Sequence, residues 1–477
     1  MTITYNALSG ALAAQAALNT VSQNIANSQT KGYTRQGVLL QATATDAGNL
    51  SPGNGVQIGS LLRFSDSYKL QQMWRANSEL GSRAQTQPYL TQMETVMSAS
   101  KSSLSYGMDT FFKALNAAGV DPTSSPLRQQ VITAADSMAQ QFNSIYNVTS
   151  NQVLSIQQQQ TAILPSLNQS LASIAALNKQ IVSVGAGGTN TSALMDQREQ
   201  LIDAVSAQVG VEVVSNPDGS VNVSLKSGQP LVVGFSSSTL TYSPKSVPDP
   251  TDPSAPPTIE SVLMLNYQNV KFPLDQASVG GQLGGLGDYK QNTLLPLQNS
   301  IKEIAKQMAE KINAVLTAGY KGNGDPAVPG DLGDMGTALL VFNPSSATGL
   351  LEVAAGFKTT DLAFSSDGTP GDSGNLQKLV DIKGQPISLT TLGSVLLGDA
   401  DTQLVGKLGI DSQQNKAQLT TATTIRSQAE DDWKSTSAVN TDEEAINLVE
   451  FQNMYQANMK VIAVANTLFD STLQMFG

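Results

Sequence analysis

From Leu448 to the end of the chain, residues at four- and three-residue steps form an unbroken, mainly apolar series. They are Leu448, Gln452, Tyr455, Met459, Ile462, Asn466, Phe469, Leu473 and Phe476. A seven-residue repeat sustained this long is the seam of a coiled coil, and a helix carrying it must find a partner to bury it. A second row, Phe451, Met454, Val461, Ala465 and Leu468, makes the apolar surface wider than a two-helix pair needs. The N-terminus supplies a counterpart in Leu8, Ala11, Gln15, Leu18, Val21 and Ile25, set among further alanines that permit close approach. A helix of this length is marginal alone in water. The two ends are therefore expected to pair, with the excess apolar width left for neighbouring subunits; docking on the protein's own core is the alternative. Gln452 and Asn466 are polar seam positions of the kind that fix register. The acidic tail (Asp442, Glu443, Glu444, Glu450) faces Lys31 and Arg35 near the start, and Thr441 with Glu444 has capping-box spacing.

The N-terminal stripe runs into SQNIANSQTKGYTRQ, Ser22 to Gln36. Asn27, Ser28 and Thr30 compete with the helix for backbone hydrogen bonds. Gly32 tolerates a positive φ. Tyr33 and Arg35 lead the chain outward. Asn27, Gly32, Tyr33 and Arg35 are read as a hinge between an inner helix and the rest of the molecule.

Composition removes most chemistry. The 477 residues include no cysteine and no histidine, so no thiolate, imidazole general base, disulfide or ordinary zinc site is available. A net charge of −11 with only 14% charged residues argues against nucleic-acid binding. No basic, greasy leader opens the chain, and no run of about 18 apolar residues suggests a membrane span. No catalytic residue, metal or cofactor is expected.

Between the ends, residues 66–118 and 124–182 read as long helices, the second opening on Ser-Pro and kinked or ended at Pro165. The glutamine run 157–160 reads as a solvated face. A helix follows at about 192–206. Residues 211–234 then alternate apolar and polar with NPDG and KSGQ turns, which signals strands. Residues 244–258 are proline-dense and read as an exposed loop. Strands resume at SVLMLNYQNVKF, and helix at about 288–317 and 408–435. The expected architecture is mainly α with inserted β-rich parts. Residues 1–62 and 436–477 make a coiled-coil assembly domain. Residues 63–205 and 284–435 make a long-helix body, with a Gly-rich mixed segment at 319–372. Residues 206–283 make an inserted β-rich domain.

Two stretches deserve a chemical test. Asp196, Glu199 and Asp203 share one helix face, but no cleft is indicated between paired carboxylates, and Arg198 places QREQ on a solvated face. The glycines of VGGQLGGLGDY, Val279 to Tyr289, fit no phosphate-binding pattern and read as a tight passage from strand to helix.

LSGALAAQAALNTVSQNIANSQTKGYTRQ resembles the N-terminal signature of the flagellar rod, hook and hook-associated protein family. VNTDEEAINLVEFQNMYQANMKVIAVANTLFDSTLQMF resembles that family's terminal helix. Thr34-Arg35-Gln36, ALMDQREQLIDAV and GGQLGGLGDYKQNTLLPLQ resemble its hook–filament junction members. The resemblance implies a subunit exported unfolded without a cleaved signal peptide and held beforehand by an export chaperone. It implies assembly at the distal end of the hook into a ring of about eleven subunits. Hook protein would lie on one side and a second junction protein on the other. Another rod or hook subunit is the nearer alternative. A surface adhesin or carboxylate hydrolase carried by the inserted strands is the distant one.

Overall fold

The computed structural model describes residues 2–43, 53–99, 101, 103–247, 258–325, 327–328, 330–343 and 349–476. The chain opens with α1 (Thr2–Ala26) and a hairpin of β1 (Gln36–Ala42) and β2 (Val56–Arg63). Four helices follow: α2 (Ser67–Met97), α3 (Leu104–Ala118), α4 (Ser125–Gly185) and α5 (Ser192–Gln208). Then come β3 (Val211–Ser215), β4 (Val221–Leu225), β5 (Pro230–Val233), β6 (Ser236–Ser237), β7 (Thr239–Val247), β8 (Thr258–Tyr267) and β9 (Val270–Leu274). The second helical run is α6 (Gly281–Tyr289) and α7 (Leu295–Ala318), joined by one π-helical turn. Short pieces follow: β10 (Leu340–Phe342), β11 (Leu351–Val353), α8 (Gly374–Asp381), β12 (Pro386–Leu389) and β13 (Gly393–Leu396). The chain closes with α9 (Ala400–Ser437) and α10 (Thr441–Phe476). It is a mainly helical protein whose long terminal helices flank strand-bearing parts.

The spine is α4, 61 residues and about 90 Å long. Pro165 lies inside it and does not end it. The proline removes one hydrogen bond, but Ile163, Leu164, Leu167 and Leu171 around it are buried, and that packing holds the helix through the gap. The glutamine run is not wholly solvated either. Gln160 is buried, and its Nε2 donates to Gln276 Oε1 across 3.2 Å. Antiparallel to α2 lies α9, tied to it where Asn415 Nδ2 donates to Arg83 O and to Gln87 Oε1 (3.2 and 2.8 Å).

Strands β3 to β6 form one antiparallel sheet in sequence order, and β7 to β9 a second. Asn168 and Asn178 of α4 reach the strands. Asn168 pairs with both backbone groups of Leu240, and Asn178 accepts from Val221 N while donating to Val221 O and Gly234 O. The proline-dense segment is shorter as a loop than its composition suggests, because β7 runs through Pro244 to Val247. Residues 248–257 lie outside the described residues.

The Gly-rich stretch departs most from expectation. Helix begins at Gly281, several residues before Asp288, just past Gly280 with its φ of 75°. Of the glycines that follow, Gly284 and Gly287 face the chain's own approach at Val279 and Gln276, whereas Gly285, like Gly81 on α2, serves a helix crossing. A Cβ on Gly285 would lie 2.5 Å from Ser82 O of α2, and one on Gly81 would lie 2.2 Å from Ala207 O of α5. Backbone therefore meets backbone at these crossings, and only glycine fits.

One continuous apolar core joins α2 to α9 and the strands, with Trp74 and Trp433 inside it. The buried residues of α1 are not part of that core.

Candidate assembly interface

α1 and α10 pack antiparallel against each other. Asn24 Nδ2 donates to Glu444 Oε2 (3.1 Å), and a Cβ at Gly10 would meet Asn458 Oδ1 at 2.6 Å. The buried series on α1 is Ala7, Gly10, Ala14, Ala17, Val21 and Asn24. Opposite it, the least exposed series on α10 is Glu444, Leu448, Phe451, Tyr455, Asn458, Ile462 and Ala465. Both obey the seven-residue repeat. The seam is therefore rotated from the one read in sequence. Val21, Leu448, Tyr455 and Ile462 lie in it, Ala11 is buried beside it and Leu18 is half-buried. Leu8, Ile25, Met459, Phe469 and Leu473 are exposed. The Phe476 side chain lies outside the described residues. The reason is steric: the two backbones approach where alanine and glycine recur, which turns the leucines outward. Gln452 and Asn466 are exposed as well, and the polar seam contacts are made by Asn458 and Asn24 instead.

In this register Thr2 stands roughly abreast of Asn466. Residues 467–476 of α10 then run about 15 Å past the end of α1. Along that overhang Leu468, Phe469, Leu473 and Met475 are all exposed. Of the 34 large apolar residues exposed among the described residues, 19 lie in residues 1–64 and 441–476, about a fifth of the chain. A clustered apolar surface on this scale marks an interaction site. α1 contributes to it without a single charged residue.

At the other end of the pair sits a polar collar. α1 stops at Ala26, and Asn27 closes it by donating from Nδ2 to Gln23 O (2.9 Å). Gly32 takes a φ of 73° against the Gln200 side chain, whose Nε2 donates to Lys31 O. The buried Asn24 organises the turn. Its Oδ1 accepts from Tyr33 Oη (2.9 Å) and Gln36 N (3.1 Å), and its Nδ2 donates to Gln36 O (2.8 Å). Burial pushes the Tyr33 hydroxyl up to about 12, with the Asp196 and Glu444 carboxylates adding to the shift. Arg35 donates from its backbone N to Ser437 O (2.8 Å), pairs with Glu443 (2.5 Å) and lies over the Phe64 ring at 4.4 Å. Glu444 is taken up by Asn24, so α10 is capped not by Thr441 but by Asn440, whose Oδ1 accepts from Asp442 N.

The acidic face of α5 closes the collar, and it is not solvated. Asp196 and Arg198 are each 5% exposed. Arg63, at the end of β2, donates to Asp196 Oδ1 (2.6 and 3.0 Å), to both Glu199 oxygens (2.8 and 2.6 Å) and to Thr34 Oγ1 (3.0 Å). Burial works against its charge, but the two carboxylates outweigh it and hold the guanidinium above its ordinary value. Arg198 points the other way, into Asn178 Oδ1 and Gly219 O, and burial pulls it down to about 10. Asp203 pairs with Arg426 of α9 (3.0 Å), and burial raises its carboxyl even so. Asn24 and Arg63 carry no local sequence signal, since their partners Glu444 and Asp196 lie 420 and 133 residues away, and Arg198, read as part of a solvated face, is buried instead.

Among the described residues no group of three or more Asp, Glu, His or Cys could hold a metal, and no helix is long and apolar enough to cross a membrane. The fold is a helical body that carries a pair of terminal helices, the organisation of a structural subunit.

Three family profiles match. The flagellar hook-associated protein FlgK helical domain covers residues 90–330, the flagella basal body rod protein family 5–34, and the flagellar basal body rod FlgEFG protein C-terminal family 435–475. The chain belongs to the flagellar hook-associated protein FlgK family. It is similar to flagellar hook-associated protein 1 of Escherichia coli (strain K12), 28% identical over 555 aligned positions, with 98% of this chain and 99% of that protein covered. The protein of the same name from Bacillus subtilis (strain 168) is 27% identical over 500, covering 98% and 96%. A solved flagellar hook junction protein FlgK from Burkholderia pseudomallei aligns with a TM-score of 0.49 and 25% identity, over 57% of this chain and 47% of that one. The chain is thus a structural, non-enzymatic subunit of the flagellum, an extracellular organelle.

Proposed function

We infer that this chain joins hook to filament, using the α1–α10 pair as its assembly element and the α2–α9 body as its outer wall. The observation that carries this reading is the concentration of exposed large apolar residues in the terminal segments. Leu8, Ile25, Met459, Phe469 and Leu473, which the intrachain seam leaves out, are the surface for neighbouring subunits. A closed ring of about eleven copies, with hook protein on one side and a second junction protein on the other, fits such a heterologous, self-repeating contact. Export without a cleaved signal peptide and a chaperone that covers the tail before export belong to the same reading. In this division residues 1–62 and 436–477 assemble, 63–205 and 284–435 form the body, and 206–283 form a strand-rich insert. Asn27, Gly32, Tyr33 and Arg35 make the joint between assembly element and body.

The energetics favour order on assembly. Fixing backbone costs roughly 1–2 kcal/mol per residue, and apolar burial returns about 25 cal/mol per Å². An overhang that buries nothing in one chain will fray until neighbours cover it. Hydrogen exchange tests this directly. In the free chain, amides of residues 467–476 should exchange fast while those near Val21 and Asn24 are slowed by the collar. In isolated hook–filament structures both should be protected. Equal protection of the overhang in the two states would overturn the reading.

A further inference from the structure

We propose that Arg63 is the positioning residue that sets the angle of the terminal helix pair on the body; this rests on the pair being the assembly element. Three parts of the chain meet at its guanidinium. The residue itself ends β2, whose hairpin runs along α1, with Val56 N donating to Ser9 Oγ (3.2 Å) and Gly55 packed on Ser9. Thr34, which Arg63 also touches, belongs to the connector leaving α1. Asp196 and Glu199 belong to α5 of the body. The Arg63 side chain is 11% exposed and its carboxylate partners 8% and 14%, so the pairing is shielded from salt and water.

The fork geometry matters as much as the charge. Five polar contacts to four acceptor atoms, three of them shared by the two hydrogens of Nη2, fix the guanidinium plane, which a lysine's point charge cannot do. Thr34 N also donates to Asp196 Oδ2 (3.2 Å), so the connector and Arg63 hold the same carboxylate. Elsewhere the pair and its hairpin meet the rest of the chain through Arg35 and Ser437, beside the α9–α10 link, through Gln200 on Lys31 O, and through Asn190 Nδ2, which donates to Gln36 Oε1 (2.8 Å). Each of those contacts joins two parts, whereas among the described residues Arg63 joins hairpin, connector and body in one planar group.

The absence of cysteine makes the test clean. Spin labels on Gln15→Cys in α1 and Ala172→Cys in α4 read the angle between pair and body in the full-length chain. Labels on Ala172→Cys and Thr420→Cys read the body alone. The unsubstituted background should give a single narrow distance for both pairs. Arg63→Gln and Arg63→Lys should each lose the narrow distance for the first pair and keep it for the second. A narrow first distance in Arg63→Lys, a broad one already in the unsubstituted background, or equal broadening within the body would each overturn the proposal. Junction building by the same variants in cells is scored separately. Loss of motility with unchanged distances would sink the positioning role and leave the assembly reading standing.

Discussion

Deleting Leu448–Gly477 will leave a folded, soluble body and a subunit that cannot build the junction. Every group of the collar lies before the cut: Asn24, Thr34, Arg63, Asp196, Glu199, Ser437 and Glu444 all survive it. The main core does not use α10, and Trp74 and Trp433 sit within that core, 5% and 8% exposed. Tryptophan emission and the thermal midpoint of the truncated chain should therefore stay close to those of the full chain. What goes is the partner of the small-residue face of α1 and the whole apolar overhang. Motility is the readout, and normally motile cells carrying only the truncated chain would contradict the assembly role of α10.

The opposite pattern is expected of Gly285→Val. Its Cβ would be driven to 2.5 Å from Ser82 O, and the obstacle is backbone, so no side chain can swing aside. Overpacking of this kind costs about 1–3 kcal/mol, a large share of a stability of roughly 5–15 kcal/mol. Gly81→Val, aimed at Ala207 O from 2.2 Å, should act alike. Denaturation followed by tryptophan emission should show the midpoint falling in both variants. An unchanged midpoint would mean that the α2–α5 and α2–α6 crossings adjust more freely than their geometry allows. The two experiments separate assembly from folding: one removes the interface and spares the body, the other loosens the body and leaves the interface sequence intact.

How legible was this arrangement? The seven-residue repeat predicted both terminal helices and their pairing, because periodicity is a local property that survives any tertiary context. It misplaced the seam by one residue on α1. Apolar bulk points to Leu8 and Ile25, but the closest approach selects Ala7, Gly10 and Asn24. The β1–β2 hairpin was missed because Val38-Leu39-Leu40 and Leu61-Leu62 break the alternation and the strands are joined by no short turn. Of the glycines at 280–287, Gly280 and Gly281 make the tight passage that the sequence suggests, with φ of 75° and 59°, whereas the need for Gly285 depends on α2 lying against it, which no local pattern records. The collar was invisible for a different reason. Asp196 and Glu199 have the look of a solvated helix face until Arg63 arrives from 133 and 136 residues away.

An α1 without charge also has an environmental consequence. Ionic strength acts on a contact through the charges it screens, and α1 offers none between Thr2 and Ala26. Packing along that helix should hold in fresh water and in brine alike. Cold is the condition that loosens it, because apolar association weakens on cooling. The α1 face would then be indifferent to salinity and sensitive to temperature, while the Arg35–Glu443 pair at its end keeps an ordinary response to salt.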